Sequence, residues 1–379
     1  MTLTAWPFML LLGMIGLTCC VGTYLLWMRW PGRWALPGRA ASLLLIMVLG
    51  GVIALAQVNR SYGFYTSASD LLGRPASARS LVAQTRPGAG SQVSVLTPDW
   101  FALGRRDGRH GHGIMLRVLY PGTRSGMTHH GLLYLPAAYF TGNTERRFAA
   151  VEVFHGYPGL PETFPRLMNI QARLEAEIAA GRVPPVVLVI PQVYAGGRSS
   201  ECVNAVHGAQ WETYLSVDVV DDVTRTFRVD ASRSWATLGI STGGFCAVNL
   251  GLRHPGRYAA AASLSGYFTA GEDPGTPALY QGARFASREN SPIWWVRYRA
   301  PAAPALYLSA SAGDPDAMRE ARAMTAALRR YAGSLPTTTA LASSGGHNWG
   351  VFSAAFGPAI DWIAQYLPGP LVAPPANLN

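Results

Sequence analysis

Two long apolar runs without a charged side chain open the chain, residues 1–28 and residues 40–59. Each can cross about 30 Å of hydrocarbon as a helix. Between them lie Arg29, Arg33 and Arg39, with Trp30 and Trp34. No Lys or Arg precedes the first run, so the positive-inside rule puts the arginine-bearing connection in the cytoplasm and both chain ends outside. A cleaved signal peptide is the alternative. It lacks support, because there is no basic leader, the first run is too long and a second run follows. The reading is a two-pass hairpin over residues 1–59 in the cell membrane, with the rest of the chain extracellular.

Residues 60–111 read as a juxtamembrane linker: 60–91 are rich in Ser, Ala, Gly and Arg, and 93–101 fit neither a helical nor a strand period. From residue 112 the pattern changes. Residues 114–120 and 131–135 run apolar or alternate around Pro121-Gly122-Thr123, which predicts an antiparallel hairpin. Short apolar runs then interleave with amphipathic stretches. Strands are expected over 148–154, 186–191, 235–240, 258–263, 305–309 and 337–342, and helices over 165–180, 211–226, 243–253, 315–331 and 352–366. The 211–226 helix is expected to present Asp218, Asp221 and Asp222 to solvent. This alternation predicts an α/β fold, a mainly parallel sheet with helices on both faces, over residues 112–367, with the hairpin at one edge. Residues 266–302 form a long irregular insertion carrying Trp294, Trp295 and Tyr298, and 368–379 form a Pro-rich tail.

Charge adds little to this picture. The formal net charge is +10, and all 31 basic residues are arginine. They are scattered and accompany no recognition motif, so nucleic acid is not an expected partner. An affinity for anionic lipid headgroups stays open. His110 and His112, and the pair His129-His130, show no zinc-ligand spacing, and without lysine no phosphate loop of the G-K-S/T kind exists. Neither a metal nor a cofactor is expected.

The sharpest chemical signal is Gly239-Ile240-Ser241-Thr242-Gly243, between an apolar run and a helix-compatible stretch. A strand that ends in G-x-S-x-G and turns directly into a helix is a nucleophile elbow. The turn strains the serine backbone and leaves no room for side chains two positions before and after. The strand at 305–309 runs on into Gly313-Asp314-Pro315, and the next into Gly345-Gly346-His347. Serine, then acid, then histidine, each after a strand, is the order of the α/β-hydrolase fold. His347, the only histidine beyond His254, is therefore the expected base for Ser241, with Asp314 orienting it. Asp314 also suits a helix N-cap before Pro315, and the two roles are compatible. Asp316 and Glu320 are weaker candidates for the acid.

An acyl intermediate needs an oxyanion hole, expected from the backbone N–H of Thr242 and of Tyr157 in the loop Phe154-His155-Gly156-Tyr157. His155 precedes the serine and reads as structural, with a catalytic role as its alternative. Cys19 and Cys20 fall in the first span. Cys202 and Cys246 either pair in an oxidising exterior, bracing the loop beside Ser241, or remain two buried thiols. Trp294 and Trp295 either line an acyl or sugar subsite or simply pack.

Phe154-His155-Gly156, the 239–244 elbow, Gly313-Asp314-Pro315 and Gly345-Gly346-His347-Asn348-Trp349 resemble the esterase D group of α/β-hydrolases, which includes the mycolyltransferases. Trp211-Glu212-Thr213-Tyr214 is similar to a segment these proteins share, and the preceding spans resemble actinobacterial membrane-anchored esterases. The resemblance covers roughly residues 113–367. It implies a serine acyl-hydrolase or acyltransferase without cofactor or metal, with donors at Tyr157 and Thr242. His155 stands where mycolyltransferases carry an acidic residue, which leans toward hydrolysis. Expected substrates are carboxylic esters, of lipids or cell-envelope glycans. The other readings are transfer of the acyl group to a sugar or lipid hydroxyl, and an inactive hydrolase-like scaffold.

Overall fold

The computed structural model divides the chain into two units, residues 1–84 and 85–379. It describes residues 6–27, 29, 32–62, 92–231, 235–271, 276, 278–299, 304–369 and 371–372. Most of the expected linker, 63–91, and of the tail, 370 and 373–379, lies outside the described residues.

In the first unit, helices α1 (Trp6–Leu26) and α2 (Ala35–Tyr62) lie against each other. Both are long and apolar enough to cross a membrane, and they leave Leu10, Met14, Met47 and Leu55 exposed. α2 starts earlier than the uncharged run predicts. Arg39 enters the helix because its Nε donates to the Trp27 carbonyl and its guanidinium lies 5.0 Å over the Trp27 ring.

In the second unit a nine-stranded sheet has the order β1-β2-β3-β6-β5-β7-β8-β9-β10. Its strands are β1 (Ser94–Val95), β2 (Ile114–Pro121), β3 (Thr128–Leu135), β5 (Ala150–Phe154), β6 (Val187–Pro191), β7 (Trp235–Ile240), β8 (Tyr258–Leu264), β9 (Ala305–Ser311) and β10 (Thr337–Ala342). β1 through β3 and the β3–β6 contact are antiparallel, and β6 through β10 are parallel. Runs such as Ala-Val-Glu-Val-Phe and Val-Leu-Val-Ile-Pro are buried along their whole length, as strands covered on both faces must be. The edge strand β10, Thr-Thr-Thr-Ala-Leu-Ala, stays partly open.

Helices cover both faces. α3 (Trp100–Gly108) and α4 (Ala137–Phe140) flank the hairpin, and α5 (Ile170–Ala179) follows a π turn. Trp211–Thr213, the π-helical Tyr214–Val219 and Val220–Thr226 run without a break as α6. Then come α7 (Thr242–Arg253), α8 (Arg284–Glu289), α9 (Pro292–Arg299), α10 (Pro315–Tyr331) and α11 (Trp349–Ala364). One core joins α6 and α7 to the sheet through Tyr214, Val223, Ala247 and Leu250 against Phe148, Phe154 and Trp235. On the other face α5 and α11 set Leu174, Phe356 and Ile360 on Val151, Leu188 and Leu238.

Three expectations are corrected. Residues 92–111 are not linker: β1 pairs with β2, and α3 packs Trp100 edge-on to Phe140 and Phe227 at 6.3 and 6.2 Å. α3 buries Gly104 and Gly108 rather than an apolar stripe, so a hydrophobic-period reading finds nothing there. Two of the three α6 aspartates do not face solvent: Asp218 and Asp222 are buried, and Asp221 is partly exposed. Asp218 accepts the Arg124 and Ser125 N–H groups of the β2–β3 turn, Asp221 bridges Arg124 and Arg257, and Asp222 pairs with Arg225. The tail begins ordered, as β11 (Leu371–Val372) pairs with β4 (Arg146–Arg147).

Candidate active site

β5 lies between β6 and β7, so the chain winds to one side of β5 and then crosses to the other. Loops leaving the C-terminal ends of β5 and β7 diverge at such a switch point and open a crevice. Phe154, the last residue of β5, is level with Gly239, two residues before Ser241.

Ser241 sits between β7 and α7 with φ 55° and ψ −123°, a conformation that costs a non-glycine residue free energy. Its N–H donates to the Leu264 carbonyl at 2.9 Å, which ties the turn to β8. A Cβ at Gly239 would lie 1.9 Å from the Gly243 carbonyl oxygen, and one at Gly243 would lie 2.1 Å from that of Phe154. The elbow therefore excludes side chains at both positions.

The loops after β9 and β10 bring the other two residues in. His347 Nε2 is 2.8 Å from Ser241 Oγ, and its Nδ1 is 2.5 Å from Asp314 Oδ2. A carboxylate only accepts, so Nδ1 carries the ring proton and Nε2 is left to accept from the serine hydroxyl. Asp314 is buried, and its Oδ1 also accepts the Ala317 N–H as the cap of α10. Gly313 N–H donates to the Gly345 carbonyl at 2.8 Å and stitches the two loops together. Asp316 instead pairs with Arg319 on the surface, and Glu320 accepts the Phe268 N–H.

The loop after β5 passes so close that a Cβ at Gly156 would sit 3.2 Å from Ser241 Cβ. His155 is fully buried beneath it: Nδ1 donates to the Gly156 carbonyl at 2.9 Å, and Nε2 accepts the Val193 N–H at 3.3 Å. Burial lowers the pKa of His155 to about 4, so the ring is neutral. Tyr194 OH accepts the Gly159 N–H and donates to its carbonyl, and Tyr157 OH donates to Gly197. The backbone N–H groups of Tyr157 and Thr242 have no partner among the described residues.

A disulfide joins Cys202 to Cys246 on the second turn of α7. Beside it the buried Glu201 accepts hydrogen bonds from Tyr267 and Tyr280, and Tyr267 stacks on Phe245 at 4.8 Å. These contacts pin the loop around Cys202 and the start of the insertion to the elbow helix. Nothing in the spacing of Glu201, Tyr267 and Tyr280 singles them out along the chain.

Glu152 was equally inconspicuous, one polar residue inside an apolar strand. It is fully buried, accepts the Tyr258 hydroxyl at 2.8 Å, and has its pKa raised to about 8 by burial.

Trp294 and Trp295 belong to a packing cluster on α9. Trp295 packs on the Val248–Leu252 cluster, 5.8 Å from the guanidinium of Arg253, the last residue of α7. At 1.5 Å per residue that end of α7 is roughly 16 Å from the elbow. Trp294 packs beside it on Phe285 and Tyr298.

A family model described as "Putative esterase" matches residues 123–363. An uncharacterised protein of Corynebacterium glutamicum is 25% identical over 246 residues, which cover 61% of this chain and 56% of that protein. The chain thus spans little more than half the length of this curated relative. Among solved structures, a ferulic acid esterase superposes with a TM-score of 0.59 at 18% identity, covering 68% of this chain and 99% of the other. An S-formylglutathione hydrolase from Agrobacterium tumefaciens superposes with a TM-score of 0.58 at 14% identity, covering 73% and 100%. At such identities these are likenesses of fold.

Proposed function

Because the chain belongs to the "Putative esterase" family, we propose that it is a membrane-anchored serine esterase that cleaves carboxylic esters through an acyl-enzyme. The observation that carries this reading is the line Ser241–His347–Asp314, at 2.8 and 2.5 Å. His347 Nε2 removes the hydroxyl proton as Ser241 Oγ attacks the ester carbonyl carbon, and Asp314 stabilises the imidazolium. The N–H groups of Tyr157 and Thr242 receive the oxyanion. The intermediate collapses, His347 protonates the departing alcohol, and a water activated by the same ring releases the acid.

α1 and α2 act as the anchor, with the esterase unit outside. Their exposed apolar surfaces support this, as does a disulfide in the second unit, which suits an oxidising compartment. An anchored esterase would meet esters of lipids or cell-envelope glycans.

The test is fluorophosphonate labelling of full-length protein in detergent, read by peptide mass mapping, with His347→Ala alongside. One adduct on Ser241 that is lost in the variant is the expected result. Folded wild type that takes no label overturns the assignment and favours a scaffold. Product analysis with hydroxyl acceptors present separates hydrolysis from acyl transfer.

A further inference from the structure

α9 buries Val296 and turns Ile293 and Trp295 toward the Val248–Leu252 cluster, while its other face carries half-buried Trp294 and exposed Arg297 and Tyr298. On that face Trp294 and Tyr298, one turn apart, have ring centroids 5.3 Å from each other, and Phe285 of α8 meets Trp294 edge-on at 6.2 Å. Phe285 is 62% exposed and Tyr298 68%. The Arg299 guanidinium lies 5.6 Å over Trp294. Arg288 and Arg297 are exposed and make no ion pair among the described residues. Glu289, 3.8 Å from Arg299, is the carboxylate facing the patch, which keeps a positive balance.

Aromatic rings held in water are unfavourable, and clustered ones mark a surface that something covers. Rings with a polar edge, ringed by arginines, suit the headgroup level of a bilayer, where such side chains concentrate and cations meet lipid phosphates. The same chain carries α1 and α2, and residues 63–91 after α2 can span at most ~100 Å, which keeps the bilayer within that reach. Tethering at that range raises the effective concentration of the surface, so a small patch suffices.

We propose that the α8–α9 patch seats on an anionic lipid surface, with Phe285, Trp294 and Tyr298 entering the interface and Arg288, Arg297 and Arg299 meeting headgroup phosphates. The inference rests on the reading of α1 and α2 as membrane spans. It gives the half-buried Trp294 and its exposed neighbours Phe285 and Tyr298 a role in orienting the esterase unit.

The test uses full-length protein with Cys19→Ser and Cys20→Ser in nanodiscs of phosphatidylcholine, with or without one third phosphatidylglycerol. Nitroxides are placed singly at Tyr298→Cys, at Leu44→Cys in α2, and at the exposed control Arg319→Cys. Power saturation with oxygen and with a water-soluble nickel chelate reads the depth of each. Circular dichroism melting checks that every variant folds. In phosphatidylglycerol discs, nickel accessibility at 298 should fall at least fivefold below the 319 control while oxygen accessibility rises. Arg297→Gln with Arg299→Gln should reverse this, since each arginine contributes about fivefold. Position 298 as nickel-accessible as the control overturns the proposal. So does shielding from both probes in every lipid and in detergent, which means that protein covers the patch. A nitroxide at 44 that reads as aqueous removes the span reading, and this inference with it; one in hydrocarbon beside an aqueous 298 removes the docking alone.

Discussion

Replacing His155 with leucine tests how the loop after β5 is held. The ring donates to the Gly156 carbonyl and accepts the Val193 N–H, at 2.9 and 3.3 Å. The Gly156 carbonyl and the Tyr157 N–H belong to one trans peptide and point in opposite directions. Drawing the carbonyl down to His155 therefore turns the N–H away from the ring, where the proposed oxyanion hole needs it. Leucine fills similar space and makes neither bond. Two backbone groups lose partners at about 1–3 kcal/mol each, so stability should fall by roughly 2–6 kcal/mol. A misdirected donor costs ~10²–10³ in kcat. The expected result is a kcat about a hundredfold lower with KM within threefold, because the donor matters most to the developing oxyanion. His155→Gln has both an amide donor and a carbonyl acceptor and should recover part of the loss. The assay is turnover of p-nitrophenyl acetate by full-length protein in detergent, with a thermal melt for each variant. With His155 neutral above its pKa of about 4, the ratio of variant to wild type should stay constant from pH 6 to 9. A folded His155→Leu with kcat within threefold of wild type would make the ring a packing element and sink the argument.

Asp314→Asn should lower kcat by ~10³–10⁴, because an amide can hold the wrong imidazole tautomer, yet leave melting almost unchanged, since asparagine also caps a helix. A similar loss of melting temperature and activity would show the cap to be its main role. Cys202→Ser with Cys246→Ser opens a link spanning 44 residues, so urea denaturation should register a loss of about 2–4 kcal/mol. An unmoved midpoint would mean the bridge is not formed in solution. Glu152 has its pKa raised from 4.5 to about 8, so the folded chain keeps a proton that the unfolded chain releases, and stability falls as pH rises through that window. His129 and His155 have theirs lowered from 6.5 to about 4, so the unfolded chain binds the extra protons and stability climbs over that window. Melting temperature should peak near the crossover around pH 6.5 and then decline to pH 8; Glu152→Gln should abolish the decline, and an identical decline in the variant would refute the assignment.

Local pattern determined much of this molecule. Whole-length burial of strands such as 150–154 and 187–191 shows as continuous apolar runs, and the elbow shows because only glycine fits beside Ser241. The order of Ser241, Asp314 and His347 along the chain is likewise a local matter. α3 escaped because Trp100 and Phe101 at its start share the contact with Phe140 with Gly104 and Gly108, and glycines leave no hydrophobic period to read. Asp218 and Asp222 misled because a carboxylate on a helix is usually solvated; the partners of Asp218 come from a distant turn, and Asp222, paired with the nearby Arg225, is buried by tertiary packing. For Trp294 and Trp295, sequence reveals an aromatic cluster but not what it packs against; the structure sets Trp295 on the Val248–Leu252 cluster. Only the folded sheet decides that β7 crosses to the far side of β5, that three loop residues meet within hydrogen-bond reach, and that His155 and Glu152 lose water and shift their proton affinities. Periodicity encodes which face of an element is apolar, whereas distance and desolvation arise from what the rest of the chain brings against it.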